Sequence, residues 1–167
     1  MDTDTARDVF VAGLRNAHAM EVQARELMER QSDRLEDYPE VQARVRQHLQ
    51  ETITQIHRLE RCLDGLGESG STLKDTALSF LGNMAALAHG TARDEILKNT
   101  FANNAFEHYE IAAYKSLLTL ADRAGATAAK SQLQESLDEE ERMAQWIGDN
   151  IGEVTLSYLA HEEREAA

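Results

Sequence analysis

Five glutamates stand where apolar side chains are expected. Between residues 6 and 32, Phe10, Leu14, Ala17, Ala24 and Met28 recur at helical spacing, and the missing step is Glu21. Between 127 and 151, Leu133, Leu137, Ala144, Ile147 and Ile151 keep register around a gap filled by Glu140. In the segment 91–124, Ile96, Tyr114, Leu117 and Ala121 share a face with Glu107 and Glu110, which are i, i+3 neighbours. In the segment 39–66, Glu51 borders the stripe of Val45, Leu49, Ile56, Leu59 and Leu63, and is the carboxylate there best placed to turn inward.

Their depth agrees. Glu21 and Glu51 are each 15 residues from a turn centred near position 36. Glu110 and Glu140 are each 15 residues from a second turn near Gly125, with Glu107 one helical turn further. At about 1.5 Å per residue, each hairpin carries its carboxylates about 22 Å from its loop. Two such hairpins packed face to face bring up to five carboxylates to one level. Uncompensated burial of that charge costs many kcal/mol, so the groups must neutralise, pair or bind cations. No Lys or Arg occupies the matching stripe positions, and Arg25, Arg58 and Arg142 fall on flanking faces. A pair of divalent or trivalent metal ions is the economical compensation. With 30 acidic residues in the chain, any one of these glutamates alone would be read as solvated. Their convergence is what points to metal.

The elements that must position them follow from caps and breakers. Thr5 and Asp8 resemble a capping box opening a helix from Ala6 to Ser32. A polar turn, Asp33 to Tyr38, precedes Pro39, which suits the first position of a helix running to Leu66. Gly65, Gly67 and Gly70 stop it. A short apolar helix, Leu73 to Ala88, follows, then a fourth from Thr91 to Ala124 ended by Gly125. A fifth runs from Thr127 to Asp149, where Asn150 and Gly152 break it, and a short helix from Glu153 to Glu163 ends the chain. No segment alternates with period 2 long enough for a strand. The expectation is an all-α, single-domain (1–167) four-helix bundle, with an extra short helix in its long crossover and a short C-terminal helix.

Composition narrows the partners. The chain has 167 residues, 17 Lys+Arg against 30 Asp+Glu and a net charge of −13, with no basic run to grip a phosphate backbone. Nucleic acid is therefore not expected, and cations are. No apolar stretch reaches the roughly 20 residues of a membrane span. The acidic start is no secretory signal, and the single cysteine, Cys62, reads as a small buried hydrophobe in a reducing, cytoplasmic setting.

The run Phe106-Glu107-His108-Tyr109-Glu110-Ile111-Ala112-Ala113-Tyr114 resembles the YciF/YciE-like family of bacterial stress-associated proteins, within the ferritin-like superfamily. Leu137-Asp138-Glu139-Glu140-Glu141 and the stretch from His48 to Glu60 are similar too. The likeness spans about Asp8 to Ile151 and implies a rubrerythrin-type di-iron carboxylate fold and a homodimer. In that superfamily two helices carry Glu-x-x-His and two carry Glu. Glu21, Glu51, Glu107, Glu110 and Glu140 match the glutamates; the histidines do not, since Thr54 and Met143 stand three residues after Glu51 and Glu140. Gln55, one turn from Glu51, is the substitute donor on that face, whereas His57 and His108 point elsewhere. His18, His48, His89 and His161 show no metal-ligand spacing and are assigned to solvent or helix ends.

The resemblance implies two Fe or Mn ions, with Glu21 and Glu107 as terminal ligands, Glu51 and Glu140 bridging or chelating, and Glu110 as an alternate ligand. The matching chemistry is oxidation of Fe(II) by oxygen or peroxide. A largely oxygen-donor set favours manganese or loosely held iron. The missing histidines motivate an alternative: a non-catalytic dimeric helical interaction module with a degenerate metal site. A DNA-coating shell is disfavoured by the lack of a basic tail.

Overall fold

The computed structural model describes residues 3–68 and 94–167. Helix α1 spans Thr3–Ser32, α2 Pro39–Gly65, α3 Glu95–Arg123 and α4 Lys130–Glu165, the last preceded by a 3₁₀ turn, Thr127–Ala129. No strand occurs among the described residues. The short helix expected at Leu73 to Ala88 lies outside them.

Helix ends follow local chemistry. Pro39 sits in the first turn of α2. Gly67 (φ 75°) and Gly125 (φ 67°) adopt the left-handed conformation beyond the C-termini of α2 and α3. Glu68 N–H then reaches back to Leu63 C=O, and Ala126 N–H to Ala121 C=O, satisfying carbonyls the helices leave open. The first helix starts at Thr3, before the expected capping pair.

α1 packs on α2 and α3, and α4 on α3 and α2, closing a ring α1–α2–α4–α3. Arg7 of α1 donates to Leu66 C=O at the end of α2. Arg34, just past α1, pairs with Glu95 at the start of α3 at 2.6 Å. α2 therefore ends beside the start of α1, and α3 begins beside its end, the topology of a bundle with one long crossover. The stripes read from sequence line this core: Phe10, Leu14, Tyr114, Ala121, Leu59 and Leu133 are all at most 1% exposed.

Two expectations need correction. The buried line of α2 runs through Val45, His48, Thr52, Gln55 and Leu59, while Leu49 is only half-buried. The expected break at Asn150 and Gly152, and with it the separate C-terminal helix, is absent: α4 continues for 36 residues. A helical glycine costs about 1 kcal/mol relative to alanine, and packing of Val154 and Tyr158 against the core offsets it. Nothing lies within 4 Å of a Cβ added at Gly152. Gly152→Ala should thus stabilise the protein by about 0.5–1 kcal/mol in chemical denaturation; a loss of stability would contradict a continuous helix there.

Candidate metal centre

His48 and the glutamates of α3 and α4 meet at the middle of the bundle. One donor atom each from His48, Glu107, Glu110 and Glu140 lies within 4.8 Å of the other three. His48 Nε2 is 3.2 Å from Glu107 Oε2 and 3.3 Å from Glu140 Oε2. Glu21 and Glu140 are fully buried, Glu110 and His48 1% exposed and Glu107 4%.

The second ring nitrogen of His48 is taken. Glu51 Oε2 lies 2.8 Å from His48 Nδ1 and 3.2 Å from Arg44 Nη1, and Glu51 Oε1 accepts from Gln47. Held this way, the imidazole presents Nε2 to the glutamates, the arrangement in which an outer carboxylate fixes the tautomer of a metal-binding histidine. Glu51 itself does not join the cluster, because both of its oxygens are engaged. On α2 the inward group is His48, three residues earlier on the same face.

Glu21 completes the buried set from α1. Its Oε1 accepts a 2.6 Å hydrogen bond from the phenol of Tyr114. Gln55 is also fully buried, with its Nε2 bonded to Glu139 at 2.9 Å. Neither belongs to the four-residue group. His57 and His108 are exposed, bonding Glu60 and the backbone of Asn104. Arg58 is buried rather than flanking, paired to Glu139 at 2.6 Å.

The electrostatics record the cost. Burial, then Glu140, pushes the Glu21 carboxyl well above its usual range, against the Tyr114 hydrogen bond. Burial, Glu140 and Glu21 do the same to Glu110. Burial raises Glu107 to about 8 despite the opposing pull of His48. For His48, burial works against the imidazolium, but Glu107, Glu140 and Glu51 outweigh it and hold the ring well above its ordinary value. Glu51 is likewise penalised by burial, yet His48 and Arg44 bring it down to about 2.

Whether metal fits is decided by the unmade hydrogen bonds. Glu21 Oε2, Glu107 Oε2 and both oxygens of Glu110 and Glu140 are buried with no hydrogen-bond partner. The two closest, on Glu107 and Glu140, are within ion-pair distance of His48 but do not receive its N–H in bonding geometry. Buried polar atoms are ordinarily satisfied. Here six carboxyl oxygens and an imidazole nitrogen face one another, a hard-oxygen set with one borderline nitrogen that suits Mn, Fe or Zn.

The signal for His48 was present in the sequence. Positions 45, 48, 52, 55 and 59 form an uninterrupted helical stripe. Leu49, one residue away, drew the predicted stripe to its own side.

The chain belongs to the family described as a domain of unknown function, DUF892, which matches residues 5–160. It is 28% identical over 151 residues to Protein YciF of Escherichia coli strain K12, covering 84% of this chain and 86% of that protein. A crystal structure of a protein from Xanthomonas campestris pv. campestris superposes with a TM-score of 0.80 at 31% identity, covering 95% of this chain and 99% of that one. The E. coli stress protein YciF superposes with a TM-score of 0.72 at 25% identity, over 90% and 96% of the two chains. The chain is thus a YciF-like helical-bundle protein with a buried His/Glu group able to hold metal. Among the described residues no helix is long and apolar enough to cross a membrane.

The raised groups fix a sign for pH dependence. Glu107, Glu21 and Glu110 hold protons more tightly folded than unfolded, so their contribution is full below about pH 4.5 and is lost as pH rises through about 8 and beyond. His48, raised above 6.5, acts in the same direction. Glu51, lowered, acts oppositely but only below its unfolded value of 4.5. Chelator-treated protein should lose stability between about pH 5 and pH 8 in urea titrations, and saturating Mn(II) should reverse the slope, because bound ions need ionised carboxylates. Rising stability of the chelated protein over that range would contradict the buried cluster.

Proposed function

We propose that this chain is a ferritin-like stress protein whose buried carboxylates hold two Fe or Mn ions, and that it oxidises Fe(II) with oxygen or peroxide. The observation that carries this reading is the set of six buried carboxylate oxygens without hydrogen-bond donors.

Charge supports two ions. Glu21, Glu107, Glu110 and Glu140 carry four negative charges when ionised. The neighbouring Glu51 and Glu139 each have an arginine of their own, Arg44 at 3.2 Å and Arg58 at 2.6 Å. His48, neutral once a metal replaces its proton, and Gln55 would add donors without charge. Two divalent ions would balance the interior; one would leave two negative charges over, at about several kcal/mol per uncompensated charge.

The residues divide the work. His48 Nε2, Glu107, Glu110 and Glu140 would form the main ligand set. Glu21 would add its free oxygen from α1, and Gln55 a neutral oxygen from α2. Bound redox ions would supply the electron transfer to oxygen or peroxide. The protein's part is to bind Fe(II) as substrate, to keep the site away from bulk water, and to hold Glu21 and His48 in fixed orientations. Consumption of Fe(II) and peroxide together removes the reactants that generate radicals, which suits a relative of a stress protein. A cytoplasmic homodimer, implied by the family resemblance, is part of the same proposal.

Plasma mass spectrometry of untagged, chelator-free protein should find about two Fe or Mn per chain, and anaerobic Fe(II) loading followed by peroxide should consume Fe(II) catalytically. Glu110→Gln separates this from a metal-free interaction module. It should lower metal content to one equivalent or less while stabilising the chelated protein at neutral pH by about 1–3 kcal/mol, because folding no longer has to protonate a buried carboxyl at this position. Failure of the wild-type protein to take up either ion would favour the interaction module.

A further inference from the structure

Three buried groups, His48, Glu21 and Gln55, share one arrangement: a partner occupies one polar atom and leaves another bare. Glu51 takes Nδ1 of His48, leaving Nε2 towards the glutamates. Tyr114 takes Oε1 of Glu21, leaving Oε2 unbonded. Glu139 takes Nε2 of Gln55, leaving Oε1 buried and unbonded.

The third case is the informative one. Gln55 lies two turns beyond His48 on the buried face of α2 and is 0% exposed. A glutamine in a carboxylate-rich interior would ordinarily offer its NH₂ to the carboxylates, which are short of donors. Here the NH₂ is bonded instead to Glu139, which is not one of the four clustered residues. Glu139 is itself gripped by both terminal nitrogens of the Arg58 guanidinium, at 2.6 and 2.9 Å. As an arginine-paired carboxylate it only accepts hydrogen bonds, so the amide nitrogen must face it. The oxygen is left without a donor in a place where an unsatisfied amide oxygen is costly.

We propose that Glu139, fixed by Arg58, is a positioning residue that orients the Gln55 amide oxygen as a neutral donor for the second of the two ions. This rests on the dinuclear reading above. The arrangement resolves a conflict of charge: a fifth inward carboxylate would overcharge the interior, whereas an oriented amide adds an oxygen donor at no charge. Orientation is essential for an amide, which has one acceptor end, and needless for a carboxylate, which has two.

That difference supplies the test. Metal-free protein is titrated with Co(II), reading stoichiometry by equilibrium dialysis and ligand geometry by the visible absorption of the ion. Wild type should bind two equivalents. Glu139→Gln should weaken the second equivalent at least about tenfold and alter its spectrum, leaving the first unchanged, as should Gln55→Leu. Adding Gln55→Glu to Glu139→Gln should restore the second equivalent, because a carboxylate needs no orienting partner. Glu139→Asp, which keeps a charge for Arg58 but draws back from Gln55, should reproduce the weakening if Glu139→Gln does not fold. Two unchanged equivalents in both Glu139 variants would overturn the positioning role and leave the dinuclear centre standing. Absence of Co(II) binding by the wild type would overturn both.

Discussion

Four carboxylates at the centre of a helical bundle repel one another, and nearly everything distinctive here answers that repulsion. All four are buried from bulk solvent. Among the described residues, no arginine or lysine pairs with them. The protein leaves their oxygens facing one another and supplies one imidazole, itself held by a carboxylate that an arginine pairs. An interior built only for stability would have apolar side chains at these positions, since replacing buried ionic groups by well-packed apolar ones is often neutral or stabilising.

The arginines are placed accordingly. Arg44 and Arg58 pair with Glu51 and Glu139, which contact His48 and Gln55 rather than the clustered oxygens. Positive charge thus sits one layer outside the centre, where it steadies orientation without occupying the anionic oxygens. Tyr114, a fully buried phenol on α3, steadies Glu21 of α1 in the same way with no charge at all. Helices α2, α3 and α4 therefore contribute both donors and the groups that support them, while α1 contributes Glu21 alone.

Much of this was legible in the residues because a helix turns hydrophobic periodicity into geometry. The gaps at Glu21, Glu107, Glu110 and Glu140 fell on strongly apolar stripes, and counting residues from each turn placed them at one depth. The second helix was harder. His48 and Leu49 are adjacent, hydrophobicity favours the leucine, and only tertiary packing turns the histidine inward. Glu51 stands close to the centre yet supports it from outside, because its spacing brings it near the level but not into the interior. Gly152 misled for another reason. Its local preference is about 1 kcal/mol, less than the packing gained by continuing the helix past it. The alignment of the Gln55 amide depends on Arg58 and Glu139, 81 residues apart in the chain, and no local pattern announces it.

The uninterrupted length of α4 ties the two ends of the molecule together. Glu140 in its first half touches His48 of α2. His161, near its end, stacks at a 57° tilt, 6.0 Å between ring centroids, on Tyr38, the residue that caps α2. A single rod thus holds α2 at the level of the buried carboxylates, where Arg58 also pairs with Glu139, and meets Tyr38 at the hairpin bend. The vertical alignment of imidazole against carboxylates is set by a ruler whose far end is the last turns of that helix. Residues beyond Asp149, which bring no donor to the clustered oxygens, act as the keel that keeps those donors level.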